Sequence, residues 1–381
     1  MERKLSDKTV LRPVLRILVT GGSGLIGGAL AGYLAGRGHS VVAMLGRKPA
    51  LLGEAWGPVA TTSWNGGPPR PGEIATLSAD LRREALGLGE AGCSALAGGL
   101  DLIVHCAAVT GFGLDHATYH QVNVEGAARI LALAEQGGPR PIPLLQVSTA
   151  YVCGERSGPV AEEPPAAGTR FANGYEESKA EAERLAAAAR HRGLPVAVAR
   201  PSIVVGAWTD GAIARFDNLY GVIRLVTEGR IRTIPANPGA SLDMVPIDHV
   251  VGGLADIAER MEEAAGRVFH LVSGAPVPVP QLRDLALSYP QFHAPRFVPP
   301  EGFDPSRLEE GEQWWHTRVT GLYASYFQRD PRFCDDNLRA LSGRACPPVD
   351  WAFLRRMIGQ CVSAGFLRDE AAGLMPHRTS G

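Results

Sequence analysis

Tyr175 and Lys179 stand four residues apart in Gly174-Tyr-Glu-Glu-Ser-Lys-Ala-Glu-Ala-Glu183, part of an Ala- and Glu-rich stretch running to His191. Such a composition predicts a helix, and the spacing puts the phenol and the ammonium on one helix face. An ammonium beside a phenol favours the phenolate and lowers the Tyr pKa. That suits Tyr175 to exchange a proton with a carbonyl or alcohol oxygen. Lys179 can also hydrogen-bond a ribose. Thr149 follows the apolar run Pro143-Leu-Leu-Gln-Val-Ser148, so its hydroxyl can reach the same cleft and share a developing oxyanion with Tyr175. Ser148 competes with Thr149 for that role. A Tyr-x-x-x-Lys pair alone is an ordinary exposed helix pair; its setting gives this one meaning.

That setting begins at Gly21, Gly24 and Gly27 in Val19-Thr-Gly-Gly-Ser-Gly-Leu-Ile-Gly-Gly28. The apolar run Val14–Val19 predicts a strand before them, and Leu25–Ala35 carries apolar residues at helical spacing after them. A glycine turn between strand and helix lets a backbone approach a ligand closely. The helix start offers unpaired N–H groups and a positive dipole end to a diphosphate. Further strands are predicted at Ser40–Leu45, Ile74–Ser78, Asp101–Cys106, Pro143–Ser148, Pro195–Arg200 and Val268–Val272. Helices are predicted through 84–97, 117–136, 175–191, 212–228 and 250–265, and a mostly helical tail over 306–370. Residues 49–72, rich in Pro, Gly and Trp, read as an irregular excursion. This alternation predicts an α/β fold with a Rossmann-type, doubly wound parallel sheet and a smaller, mostly helical C-terminal substrate region. The expected division is a cofactor domain over 14–205, rejoined by the strand near 268–272, and a substrate region over 206–381. Ligands in such sheets lie at the carboxyl ends of the strands.

The 381 residues carry a net charge of −1, with 45% hydrophobic and 20% charged residues. This is a globular composition with no general attraction for nucleic acid. Six cysteines are scattered without a CxxC pair, which predicts neither a zinc site nor a disulfide framework. The N-terminal residues carry basic side chains without an apolar core, unlike a secretory signal. No apolar run approaches the ~20 residues of a spanning helix, and a cytoplasmic location is expected. Self-association as a homodimer is left open. Arg215, Arg224, Arg230 and Arg232 are read as a solvated face ahead of a docking surface, and Asp243 and Asp248 as turn and cap residues.

The chain resembles the extended short-chain dehydrogenase/reductase family. The resemblance rests on Thr20–Gly27, Asp80-Leu81, His105-Cys-Ala-Ala108, Asn123, Ser148-Thr-Ala-Tyr-Val-Cys-Gly154, Tyr175-x-x-x-Lys179 and Arg200-Pro201, and spans about residues 14–272. Counting five residues back from Gly154 to the family's active hydroxyl position lands on Thr149. The resemblance implies a catalytic set of Thr149, Tyr175 and Lys179. It implies that Asp80 faces the adenine, that Ala107 and Ala108 line the cofactor groove, and that the backbone of Pro201, Ser202, Ile203 and Val204 meets the nicotinamide amide. Thr20, Gly21, Ser23, Gly24, Leu25, Ile26, Gly27, Leu81, Val109, Asn123 and Val147 complete the cofactor set, with Tyr175 and Lys179 shared. A carboxylate after the second strand would accept hydrogen bonds from a ribose 2′-hydroxyl. The chain has Arg47 and Lys48 there, which favour a 2′-phosphate, so NADPH is the expected cofactor.

A narrower likeness is to the thioester reductase and fatty acyl-CoA reductase branch, through Arg200-Pro-Ser-Ile-Val-Val-Gly206, Asp243-Met-Val-Pro-Ile-Asp-His-Val250 and Phe333-Cys-Asp-Asp-Asn337. It implies reduction of an acyl-CoA or acyl carrier protein thioester to an aldehyde and free thiol, with a second hydride giving the alcohol. No attached adenylation or carrier domain is expected, so the acyl group would arrive on a separate donor. The alternatives are a ketone or alcohol substrate of sterol or sugar-nucleotide type on the same fold, and a non-catalytic NADP-binding regulator.

Overall fold

The computed structural model describes residues 13–46, 51 and 61–369. Its centre is an all-parallel sheet. The strands in chain order are β1 (Arg16–Thr20), β2 (Ser40–Leu45), β3 (Thr61–Ser63), β4 (Ile74–Ser78), β5 (Leu102–His105) and β6 (Leu144–Val147). After the short β7 (Gly158–Val160), which lies outside the sheet, come β8 (Val196–Pro201) and Val268–Leu271. Spatially they run β3, β4, β2, β1, β5, β6, β8 and then Val268–Leu271. Central strands of such a sheet are covered on both faces and so need continuous apolar runs. Ile17, Leu18 and Val19 of β1 and Ile103 and Val104 of β5 are accordingly fully buried.

From β1 the chain winds to one edge through β2, then returns to the opposite side at β5. A crevice opens where the winding reverses, at the carboxyl ends of β1 and β5. Helices α1 (Leu25–Gly36), α2 (Gly89–Ala97), α3 (His116–Tyr119), α4 (Glu125–Glu135), α5 (Gly174–His191), α6 (Leu219–Thr227) and α7 (Ile247–Glu259) follow in order. One face of the sheet is covered by α1 and α7, which share a core with Val19, Val104 and Val147. The other is covered by α2, α4 and α5 through Leu96, Ile130 and Ala186. A separate core belongs to the substrate side, where Tyr220, Leu242, Phe327 and Phe353 cluster with Val205 of β9 (Ile203–Val205). The tail is bound to the first half by a parallel pairing of Pro331–Phe333 with β7.

Three local expectations are corrected. Within 49–72, residues 49, 50 and 52–60 lie outside the described residues, but Thr61–Ser63 forms the sheet's exposed edge strand beside β4. Two β-branched threonines suit a pleated edge despite the Pro- and Gly-rich surroundings. The helix expected over 212–228 begins only at Leu219. Asn218 has φ +50°, and Phe216 is held out by stacking on Phe366 at 4.4 Å; tertiary contact overrides propensity there. The helix expected over 117–136 is interrupted by a π turn at His120–Val124, a feature common at functional sites. Among the described residues no helix is long and apolar enough to cross a membrane.

Candidate active site

A cleft of about 630 Å³ runs along the carboxyl ends of the strands from the glycine turn to the substrate-side core. At its first end Gly21 has φ +73°, and a Cβ there would lie 2.8 Å from Ala107 Cα. A Cβ on Gly27 would collide with the Gly21 carbonyl. The glycines therefore let β1, the loop after β5 and α1 close on one another. Helix α1 starts at Gly24 with no side-chain cap and no acidic residue in its first turn. Its free N–H groups and dipole end point to an anion, so the cradle fits a dinucleotide diphosphate.

Gly21, Ser23, Gly24, Leu25, Ile26 and Gly27 line this end of the cleft, with Asp80, Leu81, Ala107, Ala108 and Val109 beside them. Pro201, Ser202, Ile203 and Val204 line it further along, next to Thr149 and Tyr175. Arg47 and Lys48 lie outside the described residues. Thr20, Asn123, Val147 and Lys179 sit behind the wall as supports. Thr20 Oγ1 accepts from Ala107 N at 3.1 Å and donates to His105 Nδ1 at 2.7 Å. Burial, then the Lys179 charge, pulls His105 down to about 3, so the imidazole is neutral and free to accept. Asn123 Oδ1 accepts from Val109 N at 2.8 Å, and its amide donates to Val109 O at 3.1 Å and Ser178 Oγ at 2.9 Å. One side chain thus ties the loop after β5 to the helix carrying Tyr175.

Lys179 is almost wholly buried, and its ammonium donates to Val147 O at 2.7 Å. Burial lowers its pKa to about 8, against the opposing pull of Glu183 and Cys106. Tyr175 departs from the sequence expectation. Burial first, then Glu176 and Tyr119, raises its phenol above the ordinary value of 10.0. Desolvation penalises the phenolate, so Tyr175 holds its proton. Thr149 Oγ1 accepts from Tyr151 N at 3.3 Å and donates to Pro201 O at 3.4 Å, both long. Ser148 Oγ is buried at the cleft and has no hydrogen-bond partner among the described residues.

Several contributors carry no sequence signal. Phe112, Tyr323, Tyr326 and Phe327 give the cleft an aromatic wall. The Phe112 ring lies 6.1 Å from Tyr175, 4.8 Å from Tyr323 and 5.7 Å from Tyr326. Behind the wall Glu176, fully buried, accepts from Arg329 Nη2 at 2.6 Å, Tyr326 OH at 2.9 Å and Ala172 N at 3.1 Å. Arg329 also donates to Gly154 O at 2.6 Å, and its guanidinium lies over the rings of Tyr151 and Tyr326. No local spacing links Glu176 to a residue so far along the chain. Asp243 accepts from Ser202 Oγ and Ser273 N, and Asp248 from Trp208 N and His249 N; both hold loops. Arg215, Arg224, Arg230 and Arg232 are each paired with a nearby carboxylate. Among the described residues no His, Cys, Asp and Glu cluster is placed to hold a metal.

A family model described as male sterility protein, an NAD-binding family, matches residues 19–254, more than half of the chain. The chain belongs to this family. It is an extended short-chain dehydrogenase/reductase, an oxidoreductase that uses NAD(P). The male sterility protein fold is shared with the terminal R domain of the myxalamid PKS-NRPS pathway, with a TM-score of 0.77, 24% identity and 93% of each chain covered. An isonitrile lipopeptide synthase of Streptomyces coeruleorubidus is 32% identical over 52% of this chain, which spans 13% of that synthase's length. A 4-hydroxy-2-methyl-3-oxo-4-farnesyl-3,4-dihydroquinoline-1-oxide ketoreductase of Stigmatella aurantiaca is 31% identical over 69% of this chain and 70% of its own length.

Proposed function

We propose that this reductase converts an acyl thioester, carried on coenzyme A or a carrier protein, to an aldehyde with NADPH, and that Thr149, Tyr175 and Lys179 do the proton chemistry. Residues 14–205 hold the dinucleotide in this reading, and the segment from 206 onward shapes the substrate end. The observation that carries it is the wall beside Tyr175, built from Phe112, Tyr323, Tyr326 and Phe327. Of the charged residues on that side, Arg215 is paired with Asp217 at 2.7 Å. An apolar acyl group suits such a wall, whereas a sugar nucleotide would leave its hydroxyls unpaired. Similarity to a lipopeptide synthase supports a thioester donor.

A reduced nicotinamide bound in the cleft supplies hydride. The chain's residues supply the rest. The Tyr175 phenol, kept protonated by burial, donates to the oxygen on which charge develops. The C–S bond of the resulting hemithioacetal then breaks as the hydroxyl proton passes to sulfur, releasing aldehyde and thiol, and solvent restores the phenol proton. Thr149 Oγ1 holds Pro201 O only loosely, so its proton can turn to the same oxygen. The Lys179 ammonium, fixed by Val147 O, adds positive charge beneath the site. Arg47, with Lys48, receives the 2′-phosphate.

Ketone reduction is the second reading, favoured by the similarity to the Stigmatella ketoreductase, which extends over most of both chains. A direct test incubates the enzyme and NADPH with acyl-CoA and acyl carrier thioesters and follows thiol release with a chromogenic disulfide while trapping the aldehyde. Thiol release matched to NADPH oxidation is expected. NADPH oxidation with ketones but no thiol release from any thioester would overturn the proposal in favour of the second reading.

A further inference from the structure

Behind the aromatic wall lies a second cavity, about 70 Å³ in volume, whose lining is almost wholly carbon. It shares Leu219, Val222 and Phe327 with the cleft, so the two spaces adjoin at the first turn of α6, with these side chains between them. From there it follows α6 past Val226 and Thr227, a run of about 12 Å at 1.5 Å per residue. It ends against Ala286, Tyr289 and Phe292, which do not touch the cleft. Only Thr227 and Tyr289 bring hydroxyls to its lining. Thr227 Oγ1 donates to Arg224 O at 3.1 Å and Tyr289 OH to Arg355 O at 3.3 Å, so both are already satisfied. A lining of this kind offers water no partners and suits apolar guests.

Phe327 is placed at the junction by its neighbour. Tyr326 is bonded to Glu176, the residue after Tyr175, so the chain at the junction is tied to the helix that carries the reacting phenol. We infer that this cavity is the binding site for the unbranched alkyl tail of the acyl substrate, and that its far end at Ala286 and Phe292 sets the chain length accepted. The inference rests on the thioester reading of the cleft for its choice of substrate. At about 30 Å³ per water-sized group, the space of about 70 Å³ holds roughly two or three methylene-sized groups beyond the residues it shares with the cleft. A peptide would bring amide groups that find no partner there.

The test measures kcat/KM by thiol release for acetyl- to dodecanoyl-CoA. In the wild type it should rise by about fourfold per methylene until the cavity is full and then level off. Ala286→Phe fills the far end; it should keep the acetyl rate and lose the rise. Phe292→Ala opens that end and should move the plateau to longer chains, so the idea does not depend on one variant folding. Circular dichroism and melting confirm that each is native. If the wild type reduces thioesters with the same chain-length profile as both variants, the tail site is wrong and the thioester reading stands. If no thioester is reduced, calorimetric titration with straight-chain alkanols decides separately. Affinity that climbs with length in the wild type and not in Ala286→Phe supports the cavity, and affinity indifferent to length or to the substitution overturns it.

Discussion

The pH dependence of this reductase should turn on Lys179. Its side chain is almost wholly buried, with one hydrogen bond to Val147 O, and burial brings its pKa from 10.5 to about 8. The ammonium is the form that favours the developing oxyanion. Tyr175, displaced upward, stays protonated throughout this range. Since kcat/KM reports the groups of the free enzyme, it should fall about tenfold per pH unit above an apparent pKa near 8. Stability should move the other way. Between pH 8 and 10.5 the unfolded chain still binds a proton that the native side chain has released, so stability rises with pH. The gap between about 8 and 10.5, at about 1.36 kcal/mol per unit, comes to roughly 3 kcal/mol gained across the window. Lys179→Met should lack that gain. Urea denaturation of both proteins at several pH values reads the difference directly, beside the kinetic profile. A kcat/KM flat from pH 7 to 10, or parallel stability curves for wild type and Lys179→Met, would refute the assignment.

Gly21→Ala should weaken NADPH binding by at least about tenfold in a fluorescence titration, because φ +73° and a contact of 2.8 Å to Ala107 Cα leave no room for a Cβ. Arg329→Met should destabilise the fold by about 3–5 kcal/mol by leaving the Glu176 carboxylate buried without its cation, and adding Glu176→Gln should recover part of the loss in the same denaturation assay. Arg47→Glu should shift the kcat/KM ratio from NADPH towards NADH by one to two orders of magnitude, the worth of about 1.5–3 kcal/mol for a charged hydrogen bond.

The cofactor half was readable because its signals are local. A β-branched run, three glycines and an apolar helix occupy consecutive positions at Val14–Ala35, and the structure returns β1, the turn and α1 there. Tyr175 and Lys179 share a helix face because their spacing dictates it. The direction in which the phenol titrates was not readable, because it depends on how deeply α5 is packed and on Glu176 being buried beside it. Irregular backbone over 212–218 was missed for a related reason. That segment has a helical composition, but it is held open by Phe366 and the strained Asn218, and its side chains Ile213, Arg215 and Asp217 line the cleft.

Glu176 shows how the two halves act as one site. It follows Tyr175 directly, is wholly buried, and receives Tyr326 and Arg329 from the C-terminal part of the chain. Arg329 in turn takes hold of Gly154 O, at the end of the turn that Thr149 begins. The position of the phenol, the turn bearing the hydroxyl and the aromatic wall are therefore fixed by one ion pair and its hydrogen bonds. A tail displaced by even a small amount would move Tyr326 and Phe327 and pull on α5 at the residue next to Tyr175. Substrate contacts made by the second half are thus mechanically joined to the proton donor of the first. Substitutions along the wall should accordingly change kcat together with KM, whereas those at the far end of the proposed alkyl site, Ala286 and Phe292, should change selectivity alone.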